Sequence, residues 1–335
     1  MKRFLILLLA IVTVLFACTS QETTTETTME TVAEAPQEMT RINLPMGYIA
    51  DPQYAPFYVA LEKGYFAEEG IELEFDYSFE TDGMVLVGAN QRPFAIVSGD
   101  QVILARAQGL PVVYVLEWFQ RFPIAVISKA SANIKAPQDL AGHSIGLPGF
   151  FGASYVGYLG LLSAAGLQPE DVSTSEIGFT QVESLLTDKV EVIVGYINNE
   201  PVQLSGMGED VNVIDVADYI DMVANGIITN ETVIKENPEL VEAFVRATLR
   251  GLQDALADPA AAFEISKKYV EGMDDSRMPV LEASLPIWQA DRLGITTADS
   301  WQQTQAILLS AGLLDAPVEN LDAAFTNAFV EKVQP

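Results

Sequence analysis

From residue 42 onward, short apolar runs alternate with stretches of helical periodicity, and glycine or proline marks most of the switches. A chain that changes period this often buries its strands beneath helices, which predicts an α/β body with mostly parallel sheets. Strands are expected at residues 42–48, 71–77, 94–98, 112–117 and 124–128, then at 145–147, 175–179, 190–196 and 211–216. Helices are expected between them at 56–63, 101–108, 153–165 and 181–187. After Asn225-Gly226-Ile227-Ile228 the pattern turns to helices at 238–257, 260–270, 281–289, 301–311 and 323–329. No fixed repeat period runs through the chain, which argues against solenoids and propellers.

The N-terminus reads separately from this body. Met1-Lys2-Arg3 precedes an apolar run at 4–16 that is too short to span a bilayer, so residues 1–17 read as a secretory signal. Leu15-Phe16-Ala17-Cys18 resembles the lipobox of bacterial lipoproteins, which implies a lipid on Cys18 and a location on the outer face of the cell membrane. Residues 18–40 are mostly Thr, Glu, Ser, Gln, Ala and Pro and cannot bury enough surface to offset chain entropy. They read as a flexible leash spanning roughly 25 Å on average.

Charge and rare residues narrow the function. Removal of residues 1–17 takes Lys2 and Arg3, leaving 16 basic against 46 acidic side chains, a formal charge of −30. Such an excess repels nucleic acid. Cys18 is the only cysteine and His143 the only histidine, so no disulfide is expected and no zinc site or histidine-based general acid–base centre has its residues. His143 sits in a turn before a strand and reads as a surface residue. No cofactor is expected, and the chain reads as a monomer.

The order of the elements suggests two lobes. Residues 41–128 and 222–335 would form the first and 129–221 the second, with the ligand in the cleft where strand ends face helix starts. The run Pro56-Phe57-Tyr58-Val59-Ala60-Leu61-Glu62-Lys63-Gly64-Tyr65-Phe66-Ala67-Glu68-Glu69-Gly70 resembles the opening of type II solute-binding proteins of ABC importers. Pro137-Gln138-Asp139-Leu140-Ala141-Gly142 and Gly195-Tyr196-Ile197-Asn198-Asn199-Glu200-Pro201 are similar to the branch that binds thiamine pyrimidine precursors, riboflavin, nitrate and sulfonates. The resemblance implies a two-lobed binding protein with a hinge, an ABC permease as its partner, and capture without turnover. A pyrimidine synthase in the same superfamily relies on a cysteine-rich motif and an active-site histidine, and this chain has neither. Physically, Phe57, Leu61 and Phe66 pack the first helix onto its strand while Gly64 closes it, so only Tyr48 to Tyr54 before the motif point to a cleft.

The corners between strands and helices are unusually aromatic. Tyr48 and Tyr54, Trp118 and Phe119, Phe150, Phe151 and Tyr155, and Tyr196 fall at such corners in both expected lobes. Rings closing from two sides would clamp a flat heteroaromatic ligand, at about 1–3 kcal/mol per stacked ring. Gln53, Ser98, Asp100, Ser154, Asn198, Asn199 and Glu200 add neutral amides, hydroxyls and carboxylates, which suit ligands bearing amine, imide or hydroxyl donors. Arg121 is the only basic side chain at these corners, which places nitrate and sulfonates behind. The number of rings favours riboflavin as the transported ligand; an aminopyrimidine, which Glu200 would suit, stays open. Trp288 and Trp301 are expected in the core.

Overall fold

The computed structural model describes residues 39–334; Cys18, the expected signal and nearly all of the expected leash lie outside them. In the first part of the chain β1 (Thr40–Pro45), α1 (Ala55–Glu62), α2 (Tyr65–Glu68), β2 (Ile71–Asp76) and α3 (Glu80–Gly88) lead into β3 (Ala95–Ser98), α4 (Gly99–Ala107) and β4 (Val112–Glu117). There follow β5 (Ile124–Lys129), β6 (Ser144–Leu147), α5 (Gly152–Ala165), β7 (Ser173–Glu176) and α6 (Gln181–Leu186), then β8 (Val192–Tyr196), α7 (Glu200–Gly206) and β9 (Val211–Asp215). The chain closes with β10 (Asn225–Asn230) and the helices α8 (Glu231–Glu236), α9 (Pro238–Ala257), α10 (Pro259–Ser266), α11 (Met278–Trp288), α12 (Ala298–Ser310) and α13 (Ala328–Val333).

Local chemistry explains the elements that carry the site. In β2, Ile71 and Leu73 are buried while Glu72 and Glu74 face solvent, the period-two signature of a half-covered strand. Phe57 and Phe66 are fully buried, and Gly64 ends α1 at φ +78°, as its position after the helix requires. In α9, Pro238 occupies the first turn, the Asn237 side chain accepts the Leu240 N–H, and Val241, Phe244, Val245, Thr248, Leu249 and Leu252 form its buried face. β5 is buried on both faces: Ile124 and Val126 join the main core, and Ala125 and Ile127 a second cluster with Ile177, Leu185, Ile193 and Leu204.

The sheets fall into two sets. β1 pairs with β2, and β10 lies between β3 and β4; the other sheet has the order β7-β6-β8-β5-β9. Sheets that are mostly parallel do not result. β10 runs antiparallel to β3 and β4, and β5 antiparallel to β8 and β9, while β1–β2, β6–β7 and β6–β8 are parallel. The antiparallel strands are the two that follow a passage from one sheet to the other, so each enters its sheet against the direction of its neighbours. β5 therefore belongs with the second sheet, and the first passage falls at residues 118–123 rather than after residue 128. The second passage is 216–224, ahead of β10.

The two passages are tied together. The Trp118 and Phe119 N–H groups both donate to the Asn225 carbonyl, at 3.1 and 2.9 Å. The Glu117 carboxyl accepts the Ala224 N–H at 3.2 Å, and the Glu117 N–H donates to the Gly294 carbonyl at 2.9 Å. Burial pushes Glu117 up to about 8. Trp288 and Trp301 are both fully buried, as expected, and Trp301 stacks on Phe325 at 5.0 Å.

Four helices were missing from the sequence reading and one was misplaced. α2, α7 and α8 are short, and α3 carries Gly83 in its middle and Thr81 near its start, which mask its periodicity. The helix expected at 323–329 is instead a tight turn at Leu321–Ala324 followed by α13, because Phe325 turns to extended backbone and stacks on Trp301. β1 already begins at Thr40, the last residue of the span expected to be a leash.

Candidate ligand-binding site

A cavity lies between the two sheets' lobes, where the ends of β1, β3 and β4 face the start of α5 and the end of β8. It encloses about 690 Å³ of non-atom space, open mouth included. From the first lobe it is lined by Tyr48, Gln53, Tyr54, Phe79, Glu80, Trp118, Phe119 and Asn225. The second lobe contributes Phe151, Ser154, Phe179, Gln181, Tyr196, Asn199 and Glu200.

The walls are aromatic on both sides. Trp118 is stacked between Tyr54 (5.3 Å) and Phe119 (4.3 Å), with Phe57 edge-on behind it at 5.1 Å. The Tyr54 hydroxyl donates to the Met46 carbonyl at 2.7 Å, which fixes its ring, whereas Trp118 Nε1 is buried with no partner among the described residues. Across the cleft, Phe179 packs edge-on to Tyr48 at 4.7 Å and beside Phe79 at 4.9 Å, and Phe151 meets Phe79 edge-on at 5.2 Å. Tyr196 joins the lobes directly, its hydroxyl donating to Asn225 Oδ1 at 3.1 Å.

The charged groups are mainly acids. Glu80 Oε1 accepts the Ala153 N–H at the start of α5 (2.9 Å) and the Ser98 hydroxyl (3.1 Å), and Oε2 accepts the Ser98 N–H (3.1 Å). Burial, with Asp100 nearby, pushes Glu80 up. Glu200 Oε2 accepts the Tyr196 N–H at 2.7 Å, and burial raises it to about 7. Asp51 accepts the Gln53 N–H at 3.1 Å and pairs with Arg277, yet burial still holds it at about 6. Burial also pushes Tyr48, Tyr54 and Tyr196 upward, so all three hydroxyls stay protonated. Tyr48, Phe179, Gln181 and Glu200 also face a wider outer basin, bounded by Asp51, Gln203, Met207 and Arg277.

Five of the residues expected at the site stand away from it. Phe150 is 46% exposed on the rim, because Phe151 is extended at φ −158° and neighbouring side chains on extended backbone point opposite ways. Tyr155 packs edge-on against Phe150 at 5.7 Å, a step around α5 from the lining residue Ser154. Ser98 and Asp100 sit behind the wall, Ser98 holding Glu80 and Asp100 accepting from Gln101 Nε2 at 2.6 Å. Asn198 is fully buried and donates to Ser284 Oγ at 2.8 Å and Gln53 Oε1 at 3.4 Å, bonding its own lobe to the other. Arg121 pairs with Asp215 and Asp218 on the surface, and His143 lies partly exposed beside Glu191.

Phe79, Glu80, Phe179, Gln181, Asn225 and Arg277 line the cavity or its basin without having been expected. Phe179 sits at the end of an expected strand, immediately before an expected helix, so the rule that found the other corner aromatics reaches it too. Phe79 and Glu80 were hidden with α3. Arg277 had no local signal, since its partner Asp51 is 226 positions away.

A family model described as NMT1/THI5 like matches residues 51–262. The chain belongs to the NMT1/THI5-like family. Within it, the riboflavin-binding protein RibY of Chloroflexus aurantiacus is 45% identical over 345 residues, covering 98% of this chain and 97% of that one. The formylaminopyrimidine-binding protein of Halalkalibacterium halodurans is 28% identical, covering 96% and 98%. Among solved structures, the alkanesulfonate-binding protein SsuA of Xanthomonas axonopodis, bound to MOPS, superposes with a TM-score of 0.71 over 87% of this chain and 99% of its own. At 11% identity that match speaks for the fold alone: the two-lobed solute-binding architecture expected from the opening motif.

Proposed function

We propose that the chain is the extracytoplasmic solute-binding component of an ABC importer and that it captures riboflavin, without chemical turnover, for delivery to a permease. The observation that carries this reading is a cleft with aromatic walls on both lobes, in a chain 45% identical to a riboflavin-binding protein along nearly its whole length. A planar tricyclic ring gains contact on both faces in such a cleft. The polar lining offers carboxylates, amides and hydroxyls to an imide edge and a polyol chain, and its nearest cation, Arg277, is already paired with Asp51.

Closure of the lobes over the vitamin would present the liganded form to the permease. The Leu15-Phe16-Ala17-Cys18 run supports a lipid anchor, which would keep the carrier close to its transporter and raise its effective concentration there.

Flavin fluorescence during titration of the purified body tests the ligand. Saturable one-to-one quenching in the micromolar range or tighter is expected. The second reading, an aminopyrimidine ligand, is favoured by the buried carboxyls of Glu80 and Glu200, which suit amine donors; calorimetric binding of formylaminopyrimidine with no flavin response would establish it instead. Cys18→Ser should release the protein from membranes while leaving ligand binding intact, and a variant that stays membrane-bound removes the anchor from the proposal.

A further inference from the structure

We infer that Glu80 is the residue that sets the charge specificity of this cleft: its carboxylate occupies the start of α5 from the opposite lobe, excludes oxyanions, and requires a hydrogen-bond donor on the guest. The inference deepens the carrier reading above and rests on it.

The start of a long helix is a natural seat for an oxyanion, because its free N–H groups and the helix dipole both favour negative charge. α5 runs for 14 residues and opens into the cavity, with Gly152, Ala153 and Ser154 all lining it. The Ala153 N–H that would meet an oxyanion is instead bonded to Glu80 Oε1 at 2.9 Å. Glu80 is 8% exposed and is fixed from its own lobe by both the N–H and the hydroxyl of Ser98. Gly152 is shaped for this arrangement: it has φ +73°, and a Cβ there would stand 2.7 Å from Glu80 Oε1. A sulfonate, nitrate or phosphate at this end of the cavity would face a fixed carboxylate, with Asp100 beside it and Glu200 lining the same cavity.

The same geometry selects for donors. Among the described residues Oε2 of Glu80 accepts only the Ser98 N–H, and Glu80 lines the cavity, so its carboxylate retains acceptor capacity for an imide N–H, an amine or a hydroxyl. The fold that holds a sulfonate in SsuA would thus carry here a guest that is neutral or cationic where it meets α5.

Glu80→Gln tests this, since the amide keeps the shape and an acceptor for the Ala153 N–H while removing the charge. Riboflavin and ethanesulfonate are titrated into the native chain and the variant by calorimetry. At pH 8.5, where Glu80 is charged, the native chain should bind no sulfonate at millimolar concentration; the variant should gain sulfonate affinity at least tenfold and lose riboflavin affinity about tenfold. Unchanged affinities for both probes in a folded variant overturn the inference. If the variant does not fold, the native chain decides by pH: sulfonate affinity should rise between pH 8.5 and pH 5, as Glu80 takes up a proton. Asp100, Tyr196, Glu200 and Asp51 are the other titratable groups around it and Arg277 the neighbouring cation; equal rejection at both pH values overturns the inference. A native chain that ignores riboflavin defeats the proposed ligand, while the sulfonate arm still reads the role of Glu80.

Discussion

Glu117→Gln isolates one buried acid at the junction of the two interlobe passages. Glu117 is 8% exposed, has no cation beside it among the described residues, and is raised by burial from an ordinary 4.5 to about 8. Between those two values the folded chain keeps a proton that the unfolded chain has released, so stability falls as pH rises through the window. Each pH step costs about 1.4 kcal/mol, which sets an upper limit of about 5 kcal/mol for the full window. Glutamine keeps the acceptor for the Ala224 N–H and carries no charge, so the variant escapes this loss. At pH 5 the two proteins should unfold within about 1 kcal/mol of each other, and at pH 9 the variant should be more stable by about 2–5 kcal/mol. For a chain of this size that is roughly 4–15 °C in melting temperature. Urea unfolding at both pH values measures the difference directly, and contributions from Asp51, Glu80 and Glu200 cancel because both proteins share them. Stabilities that run parallel across pH would mean that Glu117 is ionised in the folded state, and the burial argument would fail.

Two further substitutions probe the cleft. Tyr196→Phe removes the hydroxyl that bonds Asn225 across the lobes but keeps the ring, so affinity should fall by about 0.5–1.5 kcal/mol in a flavin titration; an unchanged value would show that this bond does not support closure. Gly152→Ala forces a side chain onto a backbone at φ +73° and against Glu80, which should cost about 1–3 kcal/mol of thermal stability and weaken binding, as measured by melting and titration of the same sample.

Much of this architecture could be read from local pattern. β4 and α9 fall where apolar runs and caps put them, and most other elements differ only at their ends, because a buried strand or an amphipathic helix is specified by neighbours in sequence. β10 was not expected as a strand, and the direction of β5 and β10 could not be read this way, since it depends on which sheet the chain enters. At the site, aromatic corners were legible because a bulky ring beside a strand end is conspicuous. What local sequence could not reveal was direction and pairing: Phe150 and Phe151 are adjacent yet face opposite ways, and Glu80 meets Ala153 from 73 positions away. Asn198 was legible as a polar residue near the cleft, but its bond to Ser284 makes it a strut between lobes.

The position of β10 bears on how the chain is made. It is the middle strand of its sheet, paired with β3 and β4, yet it is synthesised only after the whole second lobe. A half-made first lobe therefore has β3 and β4 separated by an empty lane, with apolar strand edges that nothing yet covers. Completion waits for residue 230, so this lobe cannot lock during early synthesis, and the second lobe is free to finish its own sheet first. Under the proposed export of the chain, such late closure would help keep it loose enough to be threaded across a membrane.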